Sequence, residues 1–338
     1  MQFVNIDVRS LARPPISPNM PRLASMLLSS LLCLCTLPGS AATYTYLRPE
    51  WADSERDPYG VALLKLAFEK AGVCHTLVYS KQKMKQGRAV YELERGSGKL
   101  DIMITMTSPE REAALLGVPV PLTKGVLGWR IALVRKEQLH QFATVRTAAQ
   151  LKNFVAGQGH DWPDTAILRG NGLPVEVSSA YDGMFKMLEA GRIDYFPRAL
   201  QQVFAEHKEH PSLAVEPHIA LRYPADAYFF VNRRNARLAA DVRRGLESAV
   251  ADGSFDQVFY SYFAAQIAAA GLEGRRIIDL PNPVRAPSLP VERSKLWFSL
   301  ADLRKPAFIE AASGRPAINR LPRPSPAGRC AGSVQSNT

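Results

Sequence analysis

Arginine is the residue type in this chain best placed to do chemistry at a small site. Arg111 closes the run Ser108-Pro109-Glu110-Arg111, which follows an apolar stretch and has the form of a helix start with Ser108 as N-cap. A planar guanidinium gives two parallel charge-assisted hydrogen bonds to a carboxylate or a similar anion. Free N–H groups at a helix N-terminus favour the same charge. The alternative for Arg111 is a surface side chain paired with Glu110 or Glu112. Arg88, in Gln86-Gly87-Arg88, stands at a second helix start. Bond-breaking chemistry has no comparable signature: G-x-S-x-G, the P-loop and H-E-x-x-H are all missing. The six His are scattered and no Cys/His group has metal-ligand spacing, so neither a metal nor another cofactor is expected. These residue types point to binding and not to catalysis.

The elements that position them alternate. Thr43 to Leu47 reads as a strand, and Tyr59 to Ala71 as a helix with Val61, Leu64, Phe68 and Ala71 on one face, stopped by Gly72. Cys74 to Tyr79 is a second strand, Gly87 to Arg95 a helix, and Asp101 to Met106 a strand apolar enough to be buried on both faces. Further strands are expected at 128–135, 153–157, 175–177, 193–196 and 227–232. Helices are expected from about Asp164, up to Ala190, and over Ala236 to Val250. Such alternation argues α/β architecture with parallel sheets.

The 338-residue chain carries a formal charge of +11, which invites a nucleic-acid reading. The charge sits at the ends. Residues 1–42 hold three Arg and one Asp, and residues 285–338 hold nine Lys/Arg against three Asp/Glu. The region between has 30 basic and 27 acidic residues, so no polyanion-binding face is expected there. Met26 to Leu37 is a short apolar run behind Arg22 and ahead of Pro38-Gly39-Ser40-Ala41-Ala42. These are the parts of a secretory signal peptide, and the run is shorter than the roughly 20 residues a membrane span needs. Cleavage is expected after Ala41 or Ala42, with translation starting at Met1 or Met20. The alternative is a buried core helix. Cys33 and Cys35 lie inside the run, and neither follows the Gly or Ala that lipid anchoring favours. Cys74 and Cys330 remain, with pairing between them left open. From Pro281 onward prolines recur, and residues 281–338 are expected to form a largely disordered basic extension.

In order along the chain come Gly98-Lys99-Leu100-Asp101, Ser108-Pro109-Glu110-Arg111, Pro119-Val120-Pro121-Leu122, Gly157-Gln158-Gly159, Gly191-Arg192-Ile193-Asp194 and Asp252-Gly253-Ser254-Phe255. Over roughly residues 43–270 this series resembles the family 3 extracellular solute-binding proteins, which have the type II periplasmic binding protein fold. The landmarks of that family are an "L-x-x-G-x-x-D" step, a "T-x-x-R" loop, an "F-S-x-P-Y"-like stretch, a second "G-x-x-D" step and a late "D-G-T" turn. The resemblance implies two α/β lobes: 43–131 plus 225–280, and 132–224 inserted between. Two crossing segments, near Arg130–Val134 and Tyr223–Phe229, form the hinge.

The resemblance also implies roles. Arg111 matches the arginine that pairs with a bound amino acid's carboxylate. Thr165, after the turn Gly157 to Asp164, is a contact from the other lobe or only a helix cap, and Trp162 closes over the ligand or simply packs. Tyr46 and Trp51 stand where an aromatic often covers the ligand, and are otherwise core. Arg198 stands where amino-acid binders commonly carry an acid that receives the ammonium group. Either it faces Arg111 and favours a ligand with two anionic groups, or it pairs with Glu206. The implied function is a monomeric periplasmic protein that presents a small polar, anionic or amino-acid-like ligand to the permease of an ABC importer. The competing readings are a dehydratase-like enzyme using Glu50, Asp161 or Asp164, and a ligand sensor acting through a separate membrane protein.

Overall fold

The computed structural model describes residues 42–49 and 58–314, all within one compact unit. The leader, Glu50, Trp51, residues 315–338, Cys33, Cys35 and Cys330 lie outside the described residues. Cys74 is disulfide-bonded.

The first lobe opens with strand β1 (Ala42–Pro49), helix α1 (Pro58–Ala71), β2 (His75–Met84), α2 (Gln86–Glu94), β3 (Ile102–Met106), α3 (Pro109–Ala114) and the short β4 (Leu116–Gly117). Residues 102–106 form a central strand because four of the five side chains are buried, on both faces of the sheet. The chain then crosses on β5 (Trp129–Arg135) into the second lobe. There it forms α4 (Leu139–Phe142), α5 (Ala148–Leu151), β6 (Ala156–Gly159), α6 (Pro163–Gly170), β7 (Val175–Ser178), α7 (Tyr181–Glu189), β8 (Tyr195–Ala199), α8 (Leu200–Glu209), β9 (Leu213–Val215) and β10 (Ile219–Arg222). It returns on β11 (Ala227–Val231), adds α9 (Ala236–Asp252) and α10 (Ser254–Ala269), and ends with β12 (Arg276–Asp279) and α11 (Pro306–Ala312).

The first sheet has the order β2-β1-β3-β11-β4, and the second β12-β10-β5-β8-β6-β7, with β9 beside β5. Pairing is parallel among the βα units (β1 with β2 and β3, β6 with β7 and β8) and antiparallel where β5 and β11 enter from the other lobe. Helix α9 starts at Asn235, whose side chain accepts the Leu238 N–H, and stops at Gly253 with φ +82°. It lies so close on α1 that a β-carbon at Gly245 would collide with the Ala67 carbonyl.

At the hinge the two crossings touch. Tyr223 donates its N–H to Gly128 O at 3.1 Å, and a β-carbon at Gly128 would strike Tyr223 O. Asp226, fully buried, accepts from the Thr123 amide and hydroxyl at 2.9 Å each, and from the Gly125 and Ala227 amides. Burial pushes its carboxyl up to about 6, although these donors oppose the rise.

Two expectations need correction. β12 belongs to the second sheet, paired with β10, so residues 276–280, expected in the first lobe, lie in the second. Residues 281–314, expected within a largely disordered extension, are ordered: Ala286, Leu289, Leu296, Phe298 and Phe308 are buried. Apart from Phe308 on the seven-residue α11, these side chains stand outside any α-helix or strand, so periodicity could not reveal them.

Candidate functional site

The Ser108 start forms as its sequence implies. Pro109 fits the first helical turn, where its missing N–H costs nothing, and the Ser108 hydroxyl accepts the Arg111 N–H at 3.3 Å. This puts the Arg111 side chain, 7% exposed, against the end of β3. Its Nη1 donates to Thr105 Oγ1 at 2.7 Å and to Met106 O at 2.8 Å. Its Nη2 donates to Gln86 Oε1 at 3.0 Å and across to Asp161 O of the second lobe at 3.3 Å. All four acceptors are neutral oxygens. Burial lowers the guanidinium to about 10, while the charges of Asp161, Asp164 and Glu110 work the other way.

The second lobe meets this corner with the segment from Gly157 to Thr165. The Asp161 carboxylate accepts the Gly87 amide at 3.0 Å, at the N-terminus of α2, and Lys85 Nζ donates to Ser179 O at 3.1 Å. The Thr165 hydroxyl, buried, donates to Gly159 O at 2.7 Å. Trp162 is the N-cap residue of α6 and its ring packs over Gly159, where a β-carbon would collide with it.

Behind these lie two more buried arginines. Arg130 donates to Asp164 Oδ1 at 2.5 Å, and the Tyr223 hydroxyl bonds the same oxygen. Burial, followed by the Asp164 carboxylate, raises the Tyr223 hydroxyl well above its ordinary value. Arg198 forms a two-pronged pair with Glu206, at 2.7 and 2.6 Å, and its guanidinium lies 4.9 Å from the centre of the Trp162 ring. Burial works against the Arg198 charge, and Glu206 more than offsets it, so its pKa rises.

The residues expected from sequence are therefore unevenly placed. Arg111 and Ser108 share one corner, and Asp161 bridges it to the segment carrying Trp162 and Thr165. Arg198 adopts the pairing with Glu206 that sequence offered as its alternative. Arg88 turns away to Glu92, one helical turn on, with its side chain 55% exposed. Tyr46, 1% exposed, is core packing edge-on to Tyr79. Trp51 lies outside the described residues. Sequence reasoning did not single out Gln86, Gln158, Arg130 or Tyr223. Gln158 is fully buried with Oε1 unpartnered among the described residues. Its place between two glycines was the available signal.

Two α/β lobes joined by crossing strands are the architecture of the periplasmic binding proteins. Solved structures with this fold include an ancestral arginine-binding protein, seen bound to arginine and to glutamine, with TM-score 0.51 and 17% identity in each case. Each match covers 66% of this chain and 98% of the other. The Salmonella typhimurium periplasmic binding protein STM4351, described for its high arginine specificity, gives TM-score 0.50 at 14% identity over 66% of this chain and all of that one. At these identities the likeness is one of fold. No protein-family model matches the chain, and no curated protein does.

Proposed function

We propose that this protein is a periplasmic solute-binding protein whose ligand carries an acidic group that Arg111 grips. The carrying observation is the state of Arg111: buried at the junction of the lobes, bonded only to neutral oxygens, and in no ion pair among the described residues. A buried cation without a counter-charge is costly, and an anionic ligand supplies the missing charge. Arg130 and Arg198, by contrast, already have Asp164 and Glu206. The ligand is thus a small polar molecule with one acidic group, of the amino-acid-like kind that the neighbours of this fold bind. Asp161, which the second lobe brings to this corner, is the acid available to a cationic end. The ligand touches both lobes only when they are shut, so binding stabilises the closed form, which a membrane importer then recognises.

No observation favours the enzymatic alternative. Asp164 is engaged by Arg130 and Tyr223, and Asp161 by the Gly87 amide. Thermal unfolding of the mature protein against amino acids, dicarboxylates and oxyanions tests the proposal. A ligand at ~100 times its dissociation constant adds ~2.7 kcal/mol of stability. A panel in which no compound shifts the melting point contradicts it.

A further inference from the structure

Beyond the crossings at β5 and β11, the chain passes to the second lobe again to form β12 and then back to the first lobe. Past β12, Leu280 donates its N–H to Arg222 O at 2.8 Å, and Asn282 Nδ2 donates to Pro224 O at 2.9 Å. Asn171, just after α6, donates from Nδ2 to Pro281 O at 2.8 Å. Pro283 stands over Gly170, where a β-carbon would collide with it, and Val284 joins the second lobe's apolar cluster. These contacts hold residues 276–284 to the second lobe.

Four residues later the same strand of chain is fixed to the first lobe. Tyr228 donates its hydroxyl to Ser288 O at 3.1 Å, and the Ser288 hydroxyl reaches the Glu112 carboxylate, beside Arg111. Leu289 is buried with Leu115, Tyr228 and Phe230. Arg293 makes a two-pronged pair with Glu247 of α9, at 2.8 and 2.7 Å. The segment then turns onto the hinge. The Trp297 ring covers Gly125, Phe298 donates its N–H to Lys124 O at 2.6 Å, and Lys124 Nζ donates to Lys295 O at 2.7 Å. Lys124 is 2% exposed and sits at φ +50°, a left-handed turn held from one side by Asp226 and from the other by this segment.

We propose that residues 280–298 act as a strap that limits how far the lobes separate and keeps the cleft near its closed spacing before any ligand binds. The span from Val284 to Ser288 reaches at most about 14 Å when fully extended. A hinge motion that parts those anchors further must break one of them. The strap thereby keeps the bonds from Gly87 to Asp161 and from Lys85 to Ser179 within reach. A protein already close to its binding-competent state binds with less loss of apparent affinity. The inference rests on the fold and is independent of which ligand binds.

Hydrogen exchange at the Gly87 amide, whose acceptor is on the other lobe, reads the opening directly. The full mature chain is compared with a variant carrying eight Gly/Ser residues inserted after Arg285, which leaves every anchor in place. Exchange at Gly87 should become at least tenfold faster, with the β3 amides unchanged. If the insertion prevents folding, N171A combined with N282A, which releases the second-lobe end of the strap, carries the same expectation. No change at Gly87, or an equal rise at β3, overturns the proposal.

Discussion

Arg111 and Arg198 are both buried guanidiniums, and their partners separate their roles. Arg198 is neutralised from its own lobe by Glu206, so it reads as structure. Removing one partner of a buried pair leaves an uncompensated charge, which costs about 3–5 kcal/mol. Glu206→Gln should lower stability by that order in urea unfolding, and a loss under 1 kcal/mol would contradict the assignment. Asp226 gives a second test at this scale. Its raised value means that the folded protein holds a proton that the unfolded chain has lost. From about pH 4 to about pH 6 this group therefore subtracts stability as pH rises. Carbon NMR of the labelled carboxyl should show a midpoint near 6, and one near the ordinary 3.8 would refute the effect of burial. Arg111 was legible because Ser108 and Pro109 announce a helix start. The bond from Tyr223 to Asp164 was not, since 59 residues separate the partners and neither has a local pattern that points to the other.

At the scale of elements, the alternation of strands and helices was legible because each buried face repeats with a simple period. The β3 run and the α9 stripe are the plainest cases. Most ends shift by one to three residues and reflect caps that periodicity does not encode, such as Trp162 opening α6 where Asp164 was expected to, while β2 runs five residues past the expected Tyr79 to Met84. The strap was missed for a different reason. Proline is excluded from helix interiors and sheet ladders, so a Pro-rich stretch looks unstructured by those tests. Here the chain is held instead by single side chains, Leu289, Arg293, Trp297 and Phe298, each docked separately. The contact between α1 and α9 makes a sharper prediction. Gly245→Ala forces a methyl group into the Ala67 carbonyl and should cost about 1–3 kcal/mol or more. An unchanged denaturant midpoint would show that the helices are not in contact there.

At the scale of the whole molecule, the charge of +11 directs attention away from the place that matters. Most of the excess lies in the two ends, while one buried arginine at the junction of two lobes carries the proposed function. The fold was legible through the order of weak motifs along the chain, each of them a helix stop, a strand or a turn. What the ligand is cannot be written in such motifs, because the cleft is assembled from residues far apart in sequence. Among the described residues no helix is long and apolar enough to cross a membrane. Secretion through the leader is a separate expectation, checked by the N-terminal mass of the exported protein, which should begin at Ala42 or Thr43.

The central claim is that Arg111 grips an acidic group of a small ligand between the lobes. Isothermal titration of L-arginine, L-glutamine, L-glutamate and succinate into wild type, Arg111→Lys and Arg111→Ala tests it most directly. Saturable binding of at least one compound is predicted for wild type. Charge-assisted hydrogen bonds contribute about 1.5–3 kcal/mol, so loss of the two-pronged geometry in Arg111→Lys should weaken binding about tenfold or more. Arg111→Ala should abolish it, with the melting temperature of the unliganded protein showing that the fold persists. Binding of equal strength in wild type and Arg111→Ala would contradict the account.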